Sequence, residues 1–155
     1  MTIFNEFHQR FLFELMKHEV EFIVVGGLSV VFHGYIRTTG DMDLWLRPTN
    51  ENKLKLLPVI TKFGLTPESK DQLKNKDFTE MLAFHFNNPP DKIEFLTAVS
   101  GLKFDDAFVN CDHLSIENHN VPFLSFEDLI INKMVAGRLK DKADVEELQK
   151  IQRKR

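Results

Sequence analysis

Apolar and polar positions along this chain recur at two different periods, and the switches between them mark out its elements. From Ile3 to His18, Phe4, Phe7, Phe11 and Leu15 fall at helical spacing among Glu6, Arg10, Glu14 and Lys17, which predicts an amphipathic helix. A strand is expected over Glu21–Val25, ending at Gly26-Gly27, with a short helix over Leu28–Gly34. Arg37, Thr39, Asp41 and Asp43 then occupy every second position, and Met42, Leu44 and Leu46 lie between or beyond them. An extended chain sends alternate side chains to opposite faces. Residues 37–47 therefore predict a strand with one polar face and one core face.

Further along, Asn50 is expected to cap a helix over Glu51–Phe63 with Leu54, Leu57 and Ile60 inward, closed by Gly64. Thr66–Asp77 is polar and predicts a mobile loop. Met81–Phe86 and Lys92–Thr97 flank Asn87-Asn88-Pro89-Pro90-Asp91, a turn-rich separator that predicts an antiparallel pair. A short helix or turn is expected over Phe104–Phe108, and short strands over His113–Glu117 and Val121–Leu124. Ser125 predicts the cap of a helix running to about Ala136, and Asp141 the cap of a last helix ending in Arg153-Lys154-Arg155.

Composition narrows this picture only slightly. The chain of 155 residues is 43% hydrophobic and 28% charged, as expected for one globular domain over residues 1–155, with its core at about 20–150. Fifteen phenylalanines predict an aromatic core. A net charge of −3 argues against binding nucleic acid by general electrostatics. A single cysteine, Cys111, excludes an internal disulfide and a multi-thiolate zinc site. The N-terminus lacks a signal-peptide pattern, and the longest apolar run is too short to span a bilayer. The expectation is a soluble, unprocessed, cytoplasmic protein without a membrane partner.

The candidate chemistry lies in Asp41 and Asp43. Two carboxylates on one strand face, brought to about 4 Å, repel by about 4 kcal/mol at an effective dielectric of 20. A hard divalent cation reverses that sign and also takes phosphate oxygens. Gly26-Gly27 opens a helix whose N–H groups are unpaired, a cradle for phosphate. The chain has no Walker or dinucleotide-binding glycine pattern, no nucleophile elbow at Ser29, no EF-hand glycine and no paired histidines for zinc.

These residues resemble the nucleotidyltransferase superfamily, whose signature is a strand, Gly-Gly or Gly-Ser, about a dozen residues, and Asp-x-Asp on the next strand. The pattern Gly26-Gly27, His33-Gly34, Arg37, Thr39, Asp41, Asp43 is most similar to small bacterial relatives of the AbiEii-type toxins, as is LSFEDLIINKMVAGRLKDKADVEEL from Leu124 onward. The likeness implies an α/β (α+β) fold with a short mixed sheet, helices mainly on one face and the site on the open side. It implies transfer of a nucleoside monophosphate from a nucleoside triphosphate (NTP) to an acceptor, with magnesium, or manganese as the alternative ion. Asp41, Asp43 and a third carboxylate, Glu94 rather than Asp91, would bind the metal and catalyse. Gly26, Gly27, Arg37, Thr39, Lys133 and Lys140 would hold the nucleotide, and Ser29 would replace the hydroxyl absent from Gly-Gly. Lys133 and Lys140 would share one side of a continuing helix. Trp45, on the aspartate face, would be a base platform, although core packing is the commoner role of such a residue. Asp141 and Asp144 read first as helix-start residues. An RNA end or a protein is the expected acceptor, and an antitoxin partner or a homodimer mate would complete so small a site. The alternative is a non-catalytic module that binds nucleotide or a partner on the same scaffold.

Overall fold

The computed structural model describes residues 3–155. Its elements in chain order are α1 (Glu6–Lys17), β1 (Phe22–Val25), α2 (Gly26–Phe32), β2 (Met42–Leu46), α3 (Asn50–Lys62), α4 (Pro67–Lys74), β3 (Ala83–Phe86) and β4 (Ile93–Leu96). They continue with α5 (Phe104–Val109), β5 (Asp112–Ile116), β6 (His119–Phe123), α6 (Phe126–Ala136) and α7 (Leu139–Arg153). The strands form one mixed sheet in the order β3-β4-β2-β1-β6-β5. β1 runs antiparallel to β2 and parallel to β6, while β2 runs parallel to β4. This is the mixed α/β architecture expected from the sequence.

The layering differs from expectation. Every residue of β1 is buried, as in a strand covered on both faces. Phe22 and Val24 enter a core with Met42, Leu44 and Leu46 beneath α1 and α3. Ile23 and Val25 enter a second core with Trp45, Phe104, Leu129 and Leu148, covered by α2, α5, α6 and α7. Helices therefore lie on both faces, and the face that carries Asp43 is only partly open.

Local chemistry sets most boundaries. Asn5, Thr49, Thr66 and Ser125 each accept the backbone N–H three residues on, the ordinary way to satisfy a helix start. Thr49 therefore caps α3. Asn50 instead accepts from the backbone N–H of Phe78 and donates to Asp77. Leu54 is exposed; Leu56, Leu57, Val59 and Ile60 form the buried side. Residues 66–77, expected to form a loop, contain α4. Thr66 caps it, Pro67 fits its first turn, and the buried Lys53 ammonium donates to the carbonyls of Lys74 and Lys76 at its end. Gly137, left-handed at φ +67°, ends α6 and separates it from α7.

Candidate active site

Asp43 lies within β2 and Asp41 just before it, so both side chains project from the same face of the strand. β4 runs alongside in parallel, with Asp43 opposite Glu94. The three carboxylates consequently line one cleft of about 590 Å³, together with Gly26, Gly27, Arg37, Thr39, Lys133 and Lys140. Asp91 is in the turn before β4 and lies outside that lining.

The glycine pair fits against this acidic edge for a steric reason. Gly26 has φ +68°, and a Cβ added there would overlap the Asp43 carboxylate. A Cβ on Gly27 would come within 2.8 Å of the Thr39 methyl group. The glycines thus allow the start of α2 to approach both Asp43 and the Arg37–Gly40 segment. That segment is irregular, and β2 begins only at Met42, so strand alternation does not govern Arg37 and Thr39.

Burial, followed by the negative charges of Asp41 and Glu94, raises the Asp43 carboxyl to about 6. Lys140 and Lys133 oppose that rise. One cation sits directly among the acids: Lys92 Nζ is 3.4 Å from Asp41 and 3.8 Å from Glu94. Among the described residues, no three acidic, histidine or cysteine side chains close into a ready-made ligand shell. The acids share a face and a cleft without converging on one point. Their oxygen-only chemistry and mutual repulsion nevertheless suit a hard divalent ion.

The opposite wall is a buried charge network. Lys133 Nζ, on α6, lies 2.9 Å from Asp144 and 3.3 Å from Asp141, both on α7. Asp144 also accepts from Arg37 at 3.0 Å, while Asp141 accepts from Arg138 Nε at 2.7 Å. Asp141 additionally accepts the Arg138 backbone N–H. Arg138, and not Asp141 as expected, occupies the cap position of α7; Asp141 lies in its first turn and Asp144 beyond it, and both aspartates hold cations that face the cleft.

Three expectations change. Ser29 is fully buried and its hydroxyl donates to the Gly26 carbonyl at 2.6 Å; it does not line the cleft and cannot replace a Gly-Ser hydroxyl there. Trp45 is only 1% exposed and packs edge-on against Phe104, so it is a core residue and no base platform. Lys133 and Lys140 belong to two helices, because Gly137 interrupts the expected continuous one. They reach the same cleft through the turn between α6 and α7. Lys92 and Arg138 were not singled out by the sequence; Lys92, two residues before Glu94, is legible in the same alternation.

Over residues 1–153 the chain matches the family described as "Nucleotidyltransferase of unknown function (DUF6036)". The chain belongs to that family. This DUF6036 nucleotidyltransferase also shares its fold with the crystal structure, at 1.87 Å, of a candidate nucleotidyltransferase from Thermotoga maritima. The TM-score is 0.56 at 14% identity, over 96% of this chain and 91% of that one. No curated protein matches the DUF6036 chain. Among its described residues, no helix is long and apolar enough to cross a membrane.

Proposed function

We propose that the chain transfers a nucleoside monophosphate from an NTP to an acceptor and releases pyrophosphate. The observation that carries this reading is the placement of Asp41, Asp43 and Glu94 on one sheet face, opening into a cleft whose other wall carries Lys133, Arg138 and Lys140. Acids are on one side, where a divalent ion and the reacting oxygens would lie. Cations are on the other, where a polyanion would be neutralised.

Asp41, Asp43 and Glu94 would hold magnesium, or manganese in its stead. Such an ion would supply charge neutralisation at the triphosphate and activation of the acceptor hydroxyl. The chain's own groups supply the rest. The Gly26-Gly27 backbone at the start of α2 offers N–H groups to phosphate oxygens at close range. Lys140 and Arg138 reach into the cleft from the α6–α7 turn. Lys133 and Arg37, steered by Asp144, hold fixed positive charge at its wall. Glu94 lies beside Asp43 and would take the acceptor proton.

An RNA end or a protein side chain is the proposed acceptor class. Pairing with an antitoxin, or with a second copy of the chain, follows from the likeness to AbiEii-type toxins. A non-catalytic nucleotide-binding module is the second reading. It is favoured by Ser29, whose hydroxyl is committed to Gly26, and by Lys133, whose ammonium is committed to two aspartates.

The test incubates the purified chain with each α-labelled NTP, magnesium or manganese, and acceptors that include tRNA. Label transfer abolished by Asp43→Ala supports the enzyme. NTP binding without transfer over the whole panel supports the module, and the absence of both overturns the reading.

A further inference from the structure

The cleft changes character along its length. The acids occupy one end, whereas Leu96, Ala98 and Val99 make the other end apolar, with Ser100 and Asn132 at its edge. Glu94 and Leu96 are alternate residues of β4, so Leu96 stands on the face of the acids about 6–7 Å further along the strand. Among the described residues that line the cleft, none is aromatic. A planar ring at this end would meet aliphatic side chains, which discriminate poorly between rings of the same shape.

Asn132 supplies what that surface lacks. Its Nδ2 donates to the backbone carbonyl of Ser100 at 2.9 Å. A carbonyl only accepts, so this contact fixes which way round the amide lies and leaves Oδ1 as its acceptor for a ligand. The Ser100 carbonyl is itself held in place. Gly101, at φ +81°, lets the chain pass so close to α6 that an added Cβ would come within 2.8 Å of the Val135 side chain. Ala136 lies one helical turn beyond Asn132, and its small side chain leaves space beside the amide. Lys133 follows Asn132 on α6, and Arg138 and Lys140 lie just past the end of that helix, all lining the same cleft. A triphosphate held by these cations would leave its base within reach of Asn132.

We propose that Asn132, locked by the Ser100 carbonyl, selects the base of the NTP by accepting a hydrogen bond at Oδ1 from its exocyclic amine. The inference rests on the reading of the cleft as an NTP site. Adenine and cytosine carry such an amine as a donor at the pairing edge. Hypoxanthine and uracil carry a carbonyl at the same ring position, and its lone pairs would face Oδ1. Turning the amide to offer its N–H instead would break the bond to Ser100. The site therefore takes an amino base and rejects its oxo counterpart.

The test measures binding of two matched pairs, ATP against ITP and CTP against UTP, to the full chain with Mg2+ by isothermal titration calorimetry. Within whichever pair binds, wild type is expected to hold the amino member about tenfold more tightly, the worth of one hydrogen bond whose acceptor is otherwise left unpaired. Asn132→Leu and Asn132→Ala should bind both members of a pair alike, and should bind inorganic triphosphate as wild type does. Equal affinities within the pairs in wild type, or tighter binding of the oxo member, overturn the proposal, as does an amino preference that persists in both variants. Loss of inorganic triphosphate binding in both variants also overturns it, because Asn132 would then serve the phosphate wall and not the base. Failure of wild type to bind any of the four nucleotides overturns the NTP reading as well, so the two failures can be told apart.

Discussion

Asp144 holds the Lys133 ammonium at 2.9 Å with both side chains almost wholly buried, and this contact ties α6 to α7 at the wall of the cleft. The same carboxylate takes Arg37 at 3.0 Å from the segment before β2. One acid from the last helix therefore orients cations contributed by two distant parts of the chain. Removing it leaves a buried lysine with only Asp141 as partner. Asp144→Ala is expected to lower stability by about 3–5 kcal/mol, read from urea unfolding. NTP affinity should fall as well, because Arg37 and Lys133 lose their orientation.

Gly26 answers a different constraint. Its left-handed backbone and the Asp43 carboxylate against its Cα leave no room for a side chain. Gly26→Ala should therefore cost about 1–3 kcal/mol and displace Asp43. Thermal unfolding would register the first effect and loss of divalent-ion binding the second. A Gly26→Ala protein with unchanged stability and ion binding would refute the close approach.

The raised carboxyl of Asp43 has a pH signature with a definite sign. A group at about 6 in the folded chain against 3.8 in the unfolded one binds more protons when folded. Stability therefore falls as pH rises from about 4 to 6, and the penalty is fully present above that window. Asp43→Asn removes the charge. The variant should be more stable than wild type at pH 7 by about 1–3 kcal/mol and should lose that advantage near pH 4. Urea midpoints at the two pH values check this, and adding a divalent ion at pH 7 should stabilise wild type but not the variant.

Trp45 makes the distinction between core and site measurable. It is the single tryptophan, 1% exposed, and it lies against Phe104. Its emission should be blue-shifted and should not respond to added NTP. Trp45→Ala should cost about 3–5 kcal/mol through the cavity it leaves, with NTP affinity unchanged at temperatures where the variant is folded. Quenching on NTP addition would return Trp45 to the site.

Much of the site was readable because its information is local. Asp41 and Asp43 share a face through strand alternation. Glu94 was singled out through the family resemblance, which implied a neighbouring antiparallel strand; it does fall opposite Asp43, but on a strand parallel to β2, a register that spacing along the chain does not reveal. The Ser125 cap and the end of α6 near Ala136 depend on a few neighbouring backbone groups, whereas the turn before β6 falls at Glu117-Asn118 and not at the expected Asn118-His119-Asn120. The α4 helix was missed because its strongest tie comes from Lys53, whose hydrogen bonds cross to a segment more than twenty residues away.

By itself, then, the amino-acid sequence determined the class of fold, the order of most elements and the acidic pair that faces outward from β2. Alternation, capping and turn chemistry act over a few residues and leave a readable trace. Tertiary structure decided which polar groups are spoken for. It buried the Ser29 hydroxyl against Gly26, pressed Trp45 into Phe104, set Lys92 between Asp41 and Glu94, and locked Lys133 to Asp141 and Asp144. Those outcomes depend on strands and helices meeting across the sheet, where the distance between charges is set by packing and no longer by position along the chain.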